Sequence, residues 1–264
     1  MTEDTRATFR QLHTAGTFVL PNPWDVPSAR LLQHLGFPAL ATTSSGFAAT
    51  LGRADQHVTR DEVVAHVATL TAAVRVPVSV DAERGYADDP AGVAETVRML
   101  AEAGASGVSI EDYDPATRGI EPIEAAAERI AAAAGVCAGY GMVLTGRAEN
   151  HLHGVHDLAD TIARLVAYRD AGATCLYAPG LTDLGDIARL TGEVGTAVNL
   201  LALRNGPTVP QLAAAGVRRV STGGSLAWAA YGALVDAAAE LRDSGASNYL
   251  DRALPRSMRD AVFD

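Results

Sequence analysis

Residues 77–111 read PVSVDAERGYADDPAGVAETVRMLAEAGASGVSIE and contain one complete unit of the predicted fold. The unit begins with an apolar run at residues 77–81. A helix is expected to start near Pro90, because proline is favoured in the first turn of a helix. Gly104 can end that helix in a left-handed conformation, and a second apolar run then covers residues 107–111. The stretch therefore predicts a strand, a helix and a second strand parallel to the first.

The same alternation of an apolar run and an amphipathic stretch recurs along the chain. The runs are apolar over their whole length, which is typical of strands buried on both faces in an all-parallel sheet. Eight such units predict a (β/α)8 barrel over about residues 16–243, with a tail at 244–264, in one domain of residues 1–264. The runs lie at residues 18–20, 39–42, 77–81, 107–111, 142–145, 174–177, 197–201 and 218–221.

An open, doubly wound sheet is the alternative architecture. That fold would place a glycine-rich dinucleotide turn after the first strand. The chain has Pro21-Asn22-Pro23-Trp24 at this point. The sequence therefore favours the barrel.

Composition limits the partners and the compartment. The 264 residues include 21 Lys and Arg against 31 Asp and Glu, and a formal net charge of −10 disfavours a nucleic-acid partner. No apolar run approaches the roughly 20 residues of a membrane-spanning helix, and the polar N-terminus is unlike a signal peptide. Cys137 and Cys175 are far apart, which is typical of buried thiols in a reducing cytoplasm. We expect a cytoplasmic protein with a small-molecule partner.

Acidic residues follow the third and fourth predicted strands, at the end of a barrel where catalytic groups lie. Asp81 and Glu83 are two residues apart and point to the same side of an extended segment, and Glu111 ends the next strand. Converging carboxylates repel each other unless a cation joins them, and oxygen ligands suit Mg²⁺ or Mn²⁺. The alternative is a set of solvated loop acids.

Five segments together resemble the isocitrate lyase/phosphoenolpyruvate mutase superfamily. In order along the chain they are Pro21–Asp25, Ser45-Gly46, Asp81–Tyr86, Ile110–Asp112 and Arg147, and the similarity extends from about residue 10 to about residue 240. This resemblance implies a Mg²⁺-dependent enzyme that acts on a 2-oxo or 2-hydroxy acid. It also implies that the enzyme breaks or makes a C–C or C–P bond.

The resemblance implies a role for each matching residue. Asp81, Glu83 and Glu111 would hold the metal, partly through water. Arg147 would neutralise the substrate carboxylate, and Asn199 is expected at the same site because it lies on the seventh strand. The predicted substrate-binding residues are Ser45, Gly46, Phe47, Asp55, Arg147 and Asn199, and the predicted catalytic residues are Arg147, Tyr86 and Glu111.

The sequence departs from the family pattern at three places. The segment that typically reads Asp-Ala-Asp-Thr-Gly-Tyr-Gly in the family has Glu83 in place of its second Asp and Arg84 in place of its Thr. Arg84 could bind a second anion or pair with Asp88. Residues 113–120 contain neither the Lys-Lys-Cys-Gly segment of the lyases nor the Lys-Thr-Asn segment of the phosphonomutases. Cys137 lies beyond the next helix and is interpreted as a structural thiol. The particular reaction therefore does not follow from the resemblance.

A tyrosine is the predicted replacement for the absent catalytic cysteine, Tyr86 ahead of Tyr113. A phenol beside Mg²⁺ and Arg147 would have a lowered pKa, which suits proton transfer near neutral pH. The alternative is that Tyr86 only packs over the metal loop and that water supplies the proton.

Two further segments have open interpretations. His151, His153 and His156 could bind zinc, act as acid–base groups or be polar loop residues. Gly223-Gly224-Ser225 could bind an anion at a helix N-terminus or form a tight turn.

The first functional hypothesis is a Mg²⁺-dependent lyase that breaks or forms a C–C bond through a metal-stabilised enolate. The alternatives are a C–P mutase or hydrolase and a barrel that binds a carboxylate without turnover. The resemblance implies a homodimer or homotetramer with the last helix packed on or swapped with a neighbour, and Leu250, Leu254 and Met258 in the polar tail are consistent with this.

Overall fold

The computed structural model describes residues 2–263, with side chains from residue 4 onward. Eight parallel strands form one sheet, in the order β1-β10-β9-β8-β7-β4-β3-β2. The two edge strands meet where the Ala41 N–H donates to the Pro21 carbonyl oxygen at 3.1 Å, which closes the barrel. The predicted (β/α)8 barrel is confirmed. Its strands are β1 (Phe18–Leu20), β2 (Leu40–Ala41), β3 (Val78–Asp81), β4 (Gly107–Glu111), β7 (Val143–Arg147), β8 (Cys175–Tyr177), β9 (Ala197–Leu201) and β10 (Arg219–Ser221), and β5 (Tyr113–Asp114) pairs with β6 (Gly119–Ile120) in a separate hairpin.

Helices surround the barrel, and several of them begin at a polar cap. The Asp89 carboxylate accepts a hydrogen bond from the Gly92 N–H at 2.7 Å, which satisfies one free N–H group of the helix that begins at Pro90. This helix start was predicted. The helices are α1 (Thr2–Leu12), α2 (Val26–His34), α3 (Ser44–Thr50), α4 (Arg60–Ala73), α5 (Pro90–Glu102), α6 (Ile123–Tyr140), α7 (Leu158–Asp170), α8 (Leu184–Val194), α9 (Val209–Ala214), α10 (Ser225–Ser244) and α11 (Arg256–Phe263).

Three elements were not predicted from the sequence. The polar N-terminus forms α1, and its residue Phe9 is fully buried with its ring 6.4 Å from that of Phe18. The segment between β2 and α4 contains α3. The segment at residues 113–120 forms the β5–β6 hairpin.

The two faces of the strands have different chemistry. Outward side chains such as Val80, Val108 and Val220 are at most 1% exposed and pack against the helices. The interior instead has polar side chains where such barrels usually hold bulky branched residues. This polar interior continues to the C-terminal ends of the strands. The polar residues of β3, β4, β7, β9 and β10 include Ser79, Ser109, Thr145, Asn199 and Arg219.

The C-terminal helices leave apolar side chains in contact with solvent. In α10 only Ala227 is buried, whereas Leu234 and Val235 are 64% and 65% exposed. The tail continues into α11, which lies against α2. None of the described helices is both long and apolar enough to cross a bilayer.

Candidate active site

A cavity of about 220 Å³ opens at the C-terminal ends of the barrel strands. The predicted residues divide into those that line this cavity and those that lie behind its surface. Gly46, Phe47, Glu83, Tyr86 and Glu111 are not part of its lining. The predicted residues that do line it are Ser45, Asp55, Asp81, Arg147 and Asn199.

Arg147, at the end of β7, is the centre of a charged cluster. Its Nη1 lies 3.1 Å from Glu111 Oε2 and 3.4 Å from Asp81 Oδ1, and its Nε donates to Glu149. Although burial opposes ionisation, the Arg147 charge lowers the pKa of Glu149. Sequence reasoning assigned no role to Glu149, although a residue two positions after Arg147 in an extended segment points to the same side.

Two acids of this cluster are buried and hold their protons more tightly than usual. Burial, and then the charges of Asp81 and Asp55, raise the pKa of Glu83 to about 8. Burial also raises the pKa of Glu111 well above its ordinary value, although Arg147 opposes the shift. Without a further cation, Glu83 is therefore largely protonated at pH 7.

Gln56 is a further member of the cluster that sequence reasoning missed. Its Nε2 donates to Glu111 Oε1 at 3.0 Å, from a loop position with a φ of 64°. Gln56 lies in a loop between β2 and α4 and not at the end of a predicted strand, where candidate site residues were sought. Only the folded chain shows this contact.

The chemistry of these acids fits a hard divalent cation. Glu83 Oε1 is buried and has no hydrogen-bond partner among the described residues. The side chains of Asp81, Glu83 and Glu111 offer only oxygen atoms as metal ligands, which is what a hard cation prefers. Within residues 2–263, however, no three acidic, histidine or cysteine side chains are arranged to hold a metal ion directly. Asp81, Glu83 and Glu111 would therefore hold Mg²⁺ or Mn²⁺ partly through water. Their role as ligands stays a prediction.

Helix α3 brings part of the predicted substrate-binding segment to the cavity. The Ser44 N–H donates to Asp81 Oδ2 at 3.1 Å, and Ser45 lines the cavity. The N–H groups of Gly46 and Phe47 instead donate to Thr43, within the helix and its cap. The backbone N–H groups of these two predicted substrate-binding residues are therefore already used in this structure.

The side chain of Phe47 packs within the protein. Its ring stacks on His66 with the centroids 3.8 Å apart. Gly46 is a close-packed position, because a Cβ there would lie 2.5 Å from Thr43 Cγ2 and 3.0 Å from Trp24 Cβ.

Tyr86 lies behind the acidic cluster with a φ of 53°. Its hydroxyl is buried and has no hydrogen-bond partner among the described residues. Burial, and then the charges of Glu83 and Asp81, raise the pKa of this phenol. In the protein without a cation the pKa is therefore raised, first by burial and then by the acids around the hydroxyl, and the lowered pKa beside a bound cation stays a prediction.

Arg84 is engaged with protein carboxylates. Its Nη2 lies 2.6 Å from Glu121 Oε1 and its Nη1 lies 3.5 Å from Asp88 Oδ1. Glu121 also pairs with Arg129 at 3.2 Å. Of the two roles predicted for Arg84, pairing with Asp88 is found, but Glu121 is the closer partner.

Cys137 lies near the N-terminal end of β7, where its carbonyl oxygen accepts from the Met142 N–H, whereas His153 contacts the charged cluster. Cys137 is buried in α6, and burial raises the pKa of its thiol to about 12. His153 stacks on Tyr113 with the centroids 3.9 Å apart, and its Nε2 lies 3.6 Å from Glu149 Oε2. His153 therefore connects the β5–β6 hairpin to the charged cluster.

Asn22, from the Pro-Asn-Pro-Trp segment, joins three strand ends. Its Oδ1 accepts from the N–H groups of Thr222 and Gly223, both at 2.9 Å. Its Nδ2 donates to the Thr42 carbonyl oxygen at 2.7 Å. These bonds form the turn after β10, and Gly223 and Gly224 line the cavity there.

The fold and this rim define an (β/α)8 barrel with an acidic, arginine-centred site at the C-terminal ends of its strands. The sequence profile of the phosphoenolpyruvate phosphomutase family matches residues 9–242. The chain therefore belongs to this family, within the phosphoenolpyruvate mutase/isocitrate lyase superfamily.

Three relatives illustrate the similarity. An uncharacterized protein of Mycobacterium tuberculosis is 38% identical over 218 residues, which are 81% of each chain. A crystal structure from Burkholderia cenocepacia J2315, described as a lyase/mutase, is 48% identical with a TM-score of 0.95 and covers 100% of this chain and 97% of that chain. The structure of 2,3-dimethylmalate lyase is 25% identical with a TM-score of 0.85 and covers 99% of this chain and 93% of that chain.

Proposed function

We propose that this protein is a Mg²⁺-dependent lyase that breaks or forms a C–C bond in a small 2-hydroxy or 2-oxo carboxylate. The observation that supports this most is the gathering of Asp81, Glu111 and Glu149 around Arg147 beside an open cavity. The similarity to 2,3-dimethylmalate lyase over nearly the full chain supports the same class of reaction.

Asp81, Glu83 and Glu111 would hold the cation, which when bound would polarise the 2-oxo group of the substrate. Ser45 and Asn199 line the cavity and would orient the substrate by hydrogen bonds. Arg147 would exchange part of its contact with Asp81 for the substrate carboxylate, since its five N–H groups can serve both. Asp55, also in the cavity lining, would contact the substrate from the loop after α3.

Proton transfer needs a protonated group that comes within hydrogen-bond reach of the substrate. Tyr86 carries its proton at neutral pH; its raised pKa makes the phenol a weak acid in the protein without a cation, but a cation held by Asp81, Glu83 and Glu111 would lower that pKa. We assign it the role of proton donor to the carbon atom from which the bond has been broken. Proton transfer by a positioned acid accelerates a reaction about 10²–10⁴-fold.

Chemistry on a C–P bond is the second candidate. It is favoured by the match to the phosphoenolpyruvate phosphomutase family profile. A mutase or hydrolase would use the same cation and Arg147, but its substrate would be a phosphonopyruvate-like acid.

One assay distinguishes these functions. The protein is incubated with Mg²⁺ and a panel of 2-oxo acids, 2-hydroxy acids and phosphonates, and the products are identified by mass spectrometry. We expect C–C cleavage products that disappear in EDTA and in Asp81→Asn and Glu111→Gln. Glu128→Gln, on the exposed face of α6, is the control and should keep full activity.

Each other outcome of the assay has a defined meaning. Phosphonate turnover alone would favour the second candidate, and binding without any product would favour a carboxylate-binding barrel. Full activity in EDTA would refute the metal-dependent mechanism.

We also propose a cytoplasmic homodimer or homotetramer. The exposed apolar residues of α10, Leu234 and Val235 among them, support association through this helix. The two free, buried cysteines Cys137 and Cys175 are consistent with a reducing compartment.

A further inference from the structure

Arg219 is a buried arginine with no carboxylate partner among the described residues. It lies on β10 and is 3% exposed. Its Nε donates to Asn199 Oδ1 at 3.0 Å and its Nη2 donates to Thr145 Oγ1 at 2.9 Å. By contrast, the equally buried Arg129 contacts Glu121, and Arg147 contacts three carboxylates.

The third partner of Arg219 is also uncharged. His13 Nδ1 lies 2.7 Å from the Phe9 carbonyl oxygen, and His13 Nε2 lies 3.2 Å from Arg219 Nη1. Burial and the charge of Arg219 lower the pKa of His13 to about 3. A neutral imidazole with its proton on Nδ1 donates to Phe9 and accepts from Arg219. The guanidinium charge is therefore solvated by neutral groups only.

Part of this guanidinium remains available to a ligand. A guanidinium has five N–H groups, and three of them are used by Asn199, Thr145 and His13. Arg219 lines the same cavity that opens at the acidic rim. Ser109, which neighbours Thr145 in the sheet, also lines this cavity, and its buried Oγ has no hydrogen-bond partner among the described residues.

A buried cation without a counter-ion is costly, whereas a bound anion would compensate it. At the rim, the charge of Arg147 is already matched by carboxylates of the protein. We propose that Arg219, together with Ser109, forms an anion subsite at the inner end of the cavity that takes a carboxylate group of the ligand. Thr145, which contacts Arg219, precedes Arg147 by two residues on β7, so the subsite lies about 6–7 Å deeper than the rim.

This subsite deepens the proposed function and rests on it for the class of ligand. It implies a substrate with two anionic groups, one bound at Arg219 and one near Arg147. Asn199, which also lines the cavity, is held by two hydrogen bonds, because its Oδ1 accepts from Arg219 and its Nδ2 donates to Ser221 Oγ at 2.9 Å. Arg219 thereby also positions Asn199.

Calorimetry in EDTA tests the subsite without turnover. The probes are succinate and butanoate, which have the same chain length but two carboxylates and one. We expect wild type to bind succinate more tightly, Arg219→Met to weaken succinate about 10- to 100-fold, and Arg219→Lys to recover part of the loss. Arg189→Met, at an exposed position of α8, is the control. Equal succinate affinity in wild type and in a folded Arg219→Met protein would overturn the proposal.

If Arg219→Met does not fold, a crystal structure of the wild type with succinate tests the same subsite. A carboxylate within about 3.5 Å of the Arg219 guanidinium supports the subsite. Succinate bound only at the rim, or no succinate in the cavity, refutes it. Because both experiments lack a metal ion and turnover, their result is independent of whether the protein is a Mg²⁺-dependent lyase.

Discussion

Replacement of Glu83 by glutamine should stabilise the metal-free protein increasingly as the pH rises toward 8. The Glu83 carboxyl group has an ordinary pKa near 4.5 in the unfolded chain, and burial and neighbouring acids raise its pKa in the folded protein to about 8. The folded state therefore binds a proton that the unfolded state has lost. Consequently the free energy of unfolding falls as the pH rises from about 4.5 to about 8.

The structure gives an upper limit for this effect. At 1.36 kcal/mol per pH unit, the interval corresponds to about 5 kcal/mol at pH 8. Glu111 contributes a slope of the same sign, since burial raises its pKa as well. The difference between wild type and Glu83→Gln isolates the part that belongs to Glu83.

Urea unfolding in EDTA at a series of pH values between 5 and 8 measures this difference. We expect Glu83→Gln to gain stability over wild type progressively as the pH rises, with near-equal stability at pH 5. Glu128→Gln, in which an exposed carboxylate is removed, should show no such divergence. Parallel pH profiles of wild type and Glu83→Gln would refute the assignment of Glu83 as a buried, protonated carboxyl group.

Three further predictions concern the proton donor, the packing of α3 and the assembly. Tyr86→Phe keeps the ring and removes the hydroxyl, so kcat should fall about 100-fold while Tyr113→Phe changes little; an unchanged kcat removes Tyr86 from the mechanism. Gly46→Ala should cost about 1–3 kcal/mol in thermal or urea unfolding, because its Cβ would meet Thr43 and Trp24, and Gly135→Ala, where a Cβ meets nothing within 4 Å, is the control. Light scattering should show a mass of at least twice 27.4 kDa, reduced by serine substitutions in the exposed apolar face of α10; a wild-type monomer contradicts the predicted oligomer.

The sequence alone determined the architecture of this protein. Strand runs that are apolar throughout, as in β4, can be buried only between two layers, and eight of them separated by helix patterns leave the closed barrel as the consistent solution. The same rule placed Asp81 and Arg147 at one end of the barrel, since each ends a parallel strand. These predictions depend on the local periodicity of apolar residues and on the order of strands and helices along the chain, both of which can be read from the sequence.

Only the tertiary structure decided which side chains meet. Gln56 reaches Glu111 from a loop, and the charge of Arg219 lies among neutral partners from three distant segments. The direction of the Tyr86 pKa depends on the acids packed around its hydroxyl, which sequence spacing does not give. Local periodicity fixes the face and the end of each strand, whereas burial and the sign of neighbouring charges arise only when residues far apart in the chain are brought together by closure of the barrel.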